Sequence, residues 1–313
     1  MQLLRDGHEI LQRPEFHPPD LSQDVIAGEG FRSLFAKVTP VVMDTSPPER
    51  SHPWDPPRGR SERRTRVSST TLSIIGTGRV GSGLARRAVD AGLDVVLSNS
   101  RGPETLTRLV TELGPRARAA TPAQAAGTGD LVLASVPLSA HTRLPRAELA
   151  GKTVIDPMNY APTPHWGSQE LDRNELTSSE LVQRHLAGAR VVKALHNIGP
   201  TQLLNLFRPA GAPDRTALPL SGDDPDAKKE VADLLDILGF DTVDLGTLAD
   251  SWRSEPNTPL YAIPYLGRPP ADFTAVQDVV AWAQQAPGVP VPRARVKELA
   301  TAAVRGPAGF RMQ

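Results

Sequence analysis

The sequence predicts an α/β protein built on a doubly wound, mostly parallel sheet, with a small helical part at the C-terminal end. Three observations support this prediction. Short apolar runs alternate with stretches of helical periodicity from residue 70 to about residue 246. Several of these runs have the continuous apolar character of strands buried on both faces of a parallel sheet. The first run, Leu72–Ile75, leads through glycines directly into a helical pattern.

Composition excludes several classes of function. The 313 residues carry 35 basic and 35 acidic side chains, so no overall field draws the protein to nucleic acid or to an anionic membrane. There is no cysteine, which rules out disulfides, thiolate metal sites and thiol catalysis. No apolar run has the length of a membrane span, and the N-terminus lacks the pattern of a secretory signal. We therefore expect a cytoplasmic protein whose partners are small molecules, with neither nucleic acid nor membrane among them.

Residues 1–69 form a leader rich in proline and arginine, which the composition predicts to be disordered. Only Phe31–Met43 contains enough apolar residues to suggest local order. Contact with nucleic acid or acidic lipid is one interpretation of the basic run Arg58–Arg66. A solvated, flexible leader is the favoured one.

The segment that organises the fold is the glycine turn after the first predicted strand. Gly76 allows a tight turn, Gly78 lets the backbone approach a pyrophosphate, and Gly81 lets the following helix pack closely on the strand. Unpaired amides at the start of that helix point at an anion. The alternative is a turn that only packs a helix on a sheet. We interpret the turn as a dinucleotide site made of Gly76, Thr77, Gly78, Arg79, Val80 and Gly81.

The end of the second predicted strand indicates which dinucleotide binds. An NAD site usually has an acidic residue about 20 positions after the glycine turn, where it accepts from the ribose 2′-hydroxyl. This sequence has Asn99, Ser100 and Arg101 there. Hydroxyl and amide donors with a guanidinium suit a 2′-phosphate, because the planar guanidinium binds phosphate bidentately. We therefore favour NADP over NAD, and a surface arginine in a turn is the alternative.

The remaining helices and strands are predicted from apolar periodicity and from the residues that typically begin or end a helix. Helices are predicted over 79–91, 103–113, from 121 onward, 177–186, 225–238, 271–285 and 292–304. Strands are predicted over 93–101, 118–120, 129–137, 152–156, 190–195, 217–221 and 240–245. Residues 70–246 are thus expected to form a Rossmann-type NADP-binding domain. Residues 247–313 are expected to form a C-terminal loop with helices, serving as a substrate cap or a dimer arm.

Ligands of open α/β sheets lie at the carboxyl ends of the strands. Val136 and Pro137 end the central apolar run and are expected to line the ligand cleft. A plain strand terminator is the alternative interpretation of this pair. The loop that contains Tyr160 and His165-Trp166 follows another strand end, and a surface loop anchored by its tryptophan is favoured there over a substrate contact.

The sequence lacks the usual motifs for metal or nucleophilic catalysis. Its seven histidines have no metal-binding spacing, and neither a Gly-x-Ser-x-Gly elbow nor a Gly-Lys-Ser/Thr loop is present. No lysine base on a helix, of the kind that a hydroxyacid dehydrogenase needs, is evident. Hydride transfer between two bound rings needs proximity and alignment above all. We predict no metal site and no side chain that acts as a catalytic acid or base.

From Thr71 to Tyr265 the sequence resembles the NADPH-dependent reductases of the deazaflavin coenzyme F420, the F420:NADP oxidoreductases. The resemblance rests on six blocks in order, at residues 75–81, 99–101, 136–137, 156–160, 192–198 and 220–224. Their order and spacing are more specific than the glycine turn alone. The leader before Thr70 and the tail after Gly267 depart from the compact core of the family.

The resemblance implies two roles in NADP binding. Thr77, Arg79 and Val80 would hold the pyrophosphate through the amides of the turn. Ser100 and Arg101 would bind the 2′-phosphate.

The resemblance also implies where the two rings lie. Val136 and Pro137 would line the nucleotide cleft, and Met158 belongs to the same cofactor-binding set. His196 and Ile198 match the positions where the family places the deazaflavin ring against the nicotinamide. From the strand pattern alone, His196 is a polar residue that finishes a strand.

The function expected from these observations is hydride transfer between NADP(H) and coenzyme F420 as co-substrate. One alternative is an NADPH-dependent reductase of a small imine, carbonyl or flavin substrate, which would need a proton donor such as Tyr160 or His196. Another is a redox sensor that binds NADP without turnover. A homodimer is expected if the C-terminal helices form a dimer arm.

Overall fold

The computed structural model of the protein describes residues 70–269 and 276–310. The predictions made for residues 1–69, including those for Phe31–Met43 and Arg58–Arg66, lie outside the described residues. The start of the helix predicted over 271–285 lies outside them as well.

An eight-stranded sheet with the order β3-β2-β1-β4-β5-β6-β7-β8 forms the centre of the fold. The strands are β1 Thr71–Ile75, β2 Asp94–Ser98, β3 Ala117–Ala119, β4 Leu131–Ala134, β5 Thr153–Asp156, β6 Arg190–Ala194, β7 Ala217–Gly222 and β8 Asp241–Asp244. Neighbours are parallel except for β6 and β7. The chain builds outward from β1 to β3 and then returns to the other side of β1. The predicted doubly wound Rossmann-type sheet is confirmed, and its switch point lies between β1 and β4.

Helices cover both faces of the sheet. They are α1 Arg79–Asp90, α2 Thr107–Leu113, α3 Pro122–Thr128, α4 Gln169–Asp172, α5 Ser178–His185, α6 Pro200–Asn205, α7 Pro225–Leu238, α8 Ile263–Leu266, α9 Val276–Gln285 and α10 Arg293–Thr301. A capping box at Thr177 and Glu180 opens α5, and another at Thr121 and Gln124 opens α3. Both boxes satisfy amide groups that a helix start leaves unpaired.

Each central strand serves two hydrophobic cores, because successive side chains point to opposite faces of a sheet. Leu131 and Leu133 of β4 belong to one core, whereas Val132 and Ala134 belong to the other. The buried residues of α1 pack on the first core, as its helical period predicts. Because the strands from β1 to β6 are parallel, their carboxyl ends lie at the same edge of the sheet, and that edge carries the candidate site.

The chain after β8 turns back along the sheet. A 3₁₀ helix at Leu248–Ser254 packs against β6, β7 and α5. Helix α10 packs on β7 and β8, and its buried Val296 and Leu299 belong to the first core. The predicted domain boundary at residue 246 stays a prediction. In the two described ranges, no helix is both long and apolar enough to cross a membrane.

Candidate active site

The glycine turn lies where β1 meets the end of β4. Gly76 has φ +104°, and a Cβ atom there would lie 2.0 Å from the carbonyl oxygen of Ser135. A Cβ atom at Gly81 would lie 2.0 Å from the carbonyl oxygen of Gly76 and 3.1 Å from Cγ2 of Ile74. Any side chain at either position would push the strand, the turn and α1 apart. The structural roles predicted for these two glycines are confirmed.

The outer side of the same turn is open. Gly78 has no atom within 4 Å of the position where a Cβ atom would lie. It forms the N-cap of α1 without a side-chain hydrogen bond, and the first turn of the helix has no acidic residue. The first-turn amides, including those of Arg79 and Val80, therefore have no capping side chain, and the positive end of the helix dipole faces outward. This arrangement suits a phosphate group.

The loop after β2 is shaped by Asn99. Its Oδ1 accepts from the backbone amides of Arg101, at 2.9 Å, and Gly102, at 3.0 Å. Its Nδ2 donates to Oγ1 of Thr105 at 2.9 Å. The amide of Asn99 is therefore already engaged inside the loop, whereas Ser100 and Arg101 are exposed. The structure gives Asn99 the role of forming the turn that presents the other two residues.

Two arginines beside the turn have no acidic partner. Among the described residues, no ion pair involves Arg79, at the start of α1, or Arg101, in the loop after β2. Both side chains are exposed. Because β1 and β2 are parallel neighbours, the segments that follow them lie at the same edge of the sheet. The site thus offers two guanidinium groups and open helix amides to an anionic ligand.

Val136 and Pro137 follow β4 at the same edge. The Ser135 amide donates to the carbonyl oxygen of Ile75 at 2.8 Å, which keeps the end of β4 beside the turn. Cγ1 of Val136 lies 3.2 Å from the position that a Cβ atom of Gly76 would occupy. Val136 is half-buried and Pro137 is exposed, and their place in a ligand cleft stays a prediction.

The second half of the site lies after β5 and β6. The structure brings the two segments together, because the side-chain Nδ2 of Asn159 donates to the carbonyl oxygen of His196 at 2.8 Å. The side chains of Met158, His196 and Ile198 are 3%, 4% and 6% exposed. All three side chains are almost completely buried next to the contact between the two segments.

His196 is held in its neutral form. Its Nε2 lies 2.9 Å from Oγ of Ser254, and that hydroxyl donates to the carbonyl oxygen of Ser251. Nε2 must therefore carry the proton, and Nδ1 is a buried acceptor with no hydrogen-bond partner. Burial, followed by the positive charge of Lys193, lowers the pKa of His196 well below its usual value.

Comparison with known proteins agrees with this geometry. The family model for coenzyme F420-dependent NADP oxidoreductases matches residues 71–160, which include the glycine turn, the loop after β2 and Met158. A solved structure of a proposed F420-dependent NADP reductase from Arthrobacter sp. FB24 is 28% identical, with a TM-score of 0.50, over 58% of this chain and 87% of that one. The chain belongs to this family.

Two further relatives of this family member are less informative about function. The hypothetical protein SMa0349 from Sinorhizobium meliloti is 32% identical, with a TM-score of 0.55, over 64% of this chain and 98% of that one. The protein YjhV of Escherichia coli strain K12 is 42% identical over 53 residues, which are 17% of this chain. The match spans 39% of YjhV's own length.

Sequence reasoning missed a charged cluster behind the second half of the candidate site, which follows β5 and β6. Lys193 of β6 is completely buried, and its Nζ lies 3.8 Å from Oδ2 of Asp156 and 3.6 Å from Oε1 of Glu255. The signal was present in the sequence, because Lys193 stands between apolar residues in the buried part of the strand Arg190–Ala194. A charge in a buried strand needs partners, and this requirement could have marked Lys193.

The hydroxyl and the ring of Tyr160 both make contacts within the loop that follows β5. Its hydroxyl accepts from the amide of Ser168 at 2.9 Å and donates to Oδ1 of Asp172 at 3.1 Å. Its ring meets that of Trp166 edge-on at 5.5 Å. Trp166 thus anchors the loop, as the favoured interpretation predicted, and His165 is exposed.

The last residues that the structure describes lie across the second half of the candidate site, which follows β5 and β6. We call residues 306–310 the C-terminal strap. The amide of Phe310 donates to the carbonyl oxygen of Tyr160 at 3.1 Å, and Nδ2 of Asn257 donates to the carbonyl oxygen of Gly309 at 2.7 Å. The Phe310 ring packs edge-on against Tyr261 at 5.3 Å. The strap therefore covers the loop that carries Met158 and Asn159.

In residues 70–269 and 276–310, no group of three or more His, Asp or Glu side chains is arranged to hold a metal ion.

Proposed function

We propose that this protein transfers a hydride between NADPH and the deazaflavin coenzyme F420. The observation that carries the proposal is the phosphate turn between β1 and β4, which presents open helix amides beside two unpaired arginines. Membership of the NADP oxidoreductase family supports the reaction class. The choice of the deazaflavin as partner rests on that family and on the chemistry of the ring-binding half.

The residues of the turn fit the phosphates of NADP. Gly76 and Gly81 allow close packing that no side chain would tolerate, and Gly78 leaves room for a ligand on the outer side. The amides of Arg79 and Val80 would hold the pyrophosphate. Ser100 and Arg101 would bind the 2′-phosphate, the guanidinium bidentately. NADPH should therefore bind more tightly than NADH.

The ring-binding half suits transfer between two flat rings. When bound, NADPH supplies the hydride and the deazaflavin accepts it. Val136 and Pro137 would orient the nicotinamide ring, while Met158 and Ile198 would exclude water from it. His196 is neutral and buried, so it offers shape and an acceptor nitrogen rather than a proton.

The structure does not favour the alternative that needs a proton donor. The hydroxyl of Tyr160 donates to Asp172, and the Nε2 proton of His196 points at Ser254. Partial burial and the charge of Glu255 raise the pKa of Tyr261, so its hydroxyl is a weak acid. Reduction of an imine or carbonyl would lack a ready proton from these three residues.

A spectrophotometric assay tests the proposal. Purified protein is mixed with NADPH and the oxidised deazaflavin, and the visible absorption of the deazaflavin is followed. Bleaching that depends on both NADPH and the enzyme supports the proposal. NADPH consumption only with an imine, a carbonyl compound or a flavin contradicts it, and so does tight NADPH binding without turnover of any of these acceptors.

A further inference from the structure

A salt-bridged cluster lies inside the protein behind the ring-binding half of the site. It consists of Lys193, Asp156 and Glu255, which come from β6, β5 and the segment after the 3₁₀ helix. Lys193 and Asp156 have no exposed side-chain surface. Lysine is rarely buried completely unless it is paired, and burial of its charge is costly. Such a residue in a nucleotide-binding protein calls for a structural or functional reason.

Every member of the cluster has hydrogen-bond partners. Nζ of Lys193 donates to the carbonyl oxygen of Met158 and, at 2.8 Å, to Oγ of Ser178. Ser178 in turn donates to Oε1 of Glu255 at 2.6 Å. Oδ2 of Asp156 accepts from Oγ of Ser179 at 2.6 Å. A buried polar network that is satisfied in this way is rigid.

The cluster holds the segment that leads to the site. The amide of Met158 donates to Oδ1 of Asp156 at 2.8 Å, and its carbonyl oxygen accepts from Lys193. Both backbone polar groups of Met158 are therefore fixed by buried charges. The next residue, Asn159, donates to the carbonyl oxygen of His196.

The backbone just before His196, which accepts the hydrogen bond from Asn159, is strained. Leu195, between Lys193 and His196, has φ +63°, which is rare for a residue with a bulky side chain. Such a conformation costs about 1–3 kcal/mol and persists only where the surroundings hold it in place. The hydrogen bond from Asn159 to His196 is one of the contacts that hold it.

We propose that Lys193 is a positioning residue for hydride transfer. It fixes the Met158 carbonyl, and through Asn159 it fixes the strained turn that places His196 and Ile198 at the rings. This inference rests on the proposed function. It goes beyond that function because Lys193 touches neither ring and acts only through the two loops.

The charge of Lys193 has a second consequence. Together with burial, it keeps the pKa of His196 low and leaves Nδ1 as an unprotonated acceptor in the site. The titratable groups around the ammonium are Asp156, Glu255 and His196 itself, with Tyr261 on the far side of Glu255. Without Lys193 this electrostatic contribution is lost, so the pKa of His196 would be lowered less.

The test compares Lys193→Met with Lys193→Gln. The first variant removes both charge and donor, and the second keeps a donor for the Met158 carbonyl without the charge. Lys152→Met is the matched control, because Lys152 also donates to a main-chain carbonyl, that of Gly129, but just before the start of β5 at the opposite edge of the sheet. For each protein, kcat with the deazaflavin, the dissociation constant for NADPH, and the titration of the His196 ring by ¹⁵N NMR are measured.

For Lys193→Met we expect kcat to fall on the order of 10-fold or more, and the NADPH dissociation constant to change by less than about 3-fold, because the phosphate turn is untouched. The pKa of His196 should be higher in both Lys193 variants than in the wild type and the control, because the charge of Lys193 is lost while burial still lowers it. Lys193→Gln should retain more of kcat than Lys193→Met at a pH where His196 is neutral. The proposal would be overturned if kcat and the pKa of His196 were both unchanged in the Lys193 variants. An equal loss of kcat in Lys152→Met would overturn it as well.

Two further comparisons cover the cases in which Lys193→Met does not fold or the wild type does not reduce the deazaflavin. If Lys193→Met does not fold, Lys193→Met combined with Glu255→Gln removes one positive and one negative charge together, which lessens the penalty of an unpaired buried carboxylate. The same kcat loss and the same direction of change in the pKa of His196 are expected from it. If the wild type does not reduce the deazaflavin at all, the proposed function fails, while the NMR titration and the NADPH dissociation constants still show whether Lys193 controls His196.

Discussion

The backbone of Gly76 lies so close to Ser135 that a Cβ atom at Gly76 would stand 2.0 Å from the carbonyl oxygen of Ser135. This contact joins the end of β1 to the end of β4, the two strands that flank the switch point of the sheet. The nucleotide cleft is therefore built on a backbone contact that any side chain would break. The first prediction follows from it.

Gly76→Ala should destabilise the protein by about 2–4 kcal/mol, because the new Cβ atom adds strain at a positive φ and overpacks the contact. NADPH binding should weaken at the same time. Urea unfolding and calorimetric titration measure the two effects. Gly127→Ala is the control, since a Cβ atom in that part of α3 has no neighbour within 4 Å. The control should be neutral or slightly stabilising, and equal stabilities of the two variants would contradict the tight-turn argument.

Arg101→Ala should raise the KM for NADPH by roughly 10- to 100-fold, through loss of a charge-assisted contact of about 1.5–3 kcal/mol. The KM for NADH should change little, because NADH has no 2′-phosphate. Steady-state kinetics with both nucleotides gives the ratio. Arg146→Ala, an exposed arginine before the start of β5, should leave both values unchanged. Equal effects of Arg101→Ala on NADPH and NADH would remove the basis for NADP preference.

The low pKa of His196 predicts a pH dependence of stability. Above the unfolded-state pKa of about 6.5, neither state binds the proton and stability is unaffected. As the pH falls below that value, the unfolded chain takes up a proton that the folded protein excludes, so stability decreases by up to about 1.4 kcal/mol per pH unit. His196→Asn should reduce this slope between about pH 6.5 and 5.

Urea unfolding at several pH values measures the slope. His165→Asn, at an exposed histidine, is the matched control. His196→Asn should also slow deazaflavin reduction while NADPH binding stays nearly intact. A collapse of NADPH affinity instead would show that His196 has a structural role only.

The C-terminal strap offers a matched pair of glycines. A Cβ atom at Gly309 would lie 2.6 Å from Cδ1 of Tyr160, at φ +76°, whereas one at Gly306 would meet nothing within 4 Å. Gly309→Ala should release the strap, raise the KM for the deazaflavin and leave NADPH binding unchanged. Hydrogen exchange of the Phe310 amide reports the release. Equal exchange in Gly306→Ala and Gly309→Ala would show that the strap is not held by this packing.

Local signals predicted most of the sheet and the first half of the site. The period of the apolar runs located the central strands to within three residues at each end, because buried strands need continuous apolar character. The glycine turn was recognisable because each of its roles depends on a local backbone requirement. The turn formed by Asn99 was also readable in principle, since an asparagine side chain often bonds the backbone two residues on. The side-chain amide of Asn99 was instead predicted to bind the 2′-phosphate.

The sequence by itself determined the α/β class, the strand and helix starts, and the phosphate turn, because these depend on periodicity and on neighbours a few residues apart. Only the tertiary structure decided the arrangement of the second half of the candidate site, after β5 and β6. The partners Ser178 and Glu255 are 77 positions apart. The strap reaches Tyr160, in the middle of the chain, from the C-terminal end of the described residues. The protonation state of His196 depends on burial and on the charge of Lys193, and neither can be derived until distant segments are packed together.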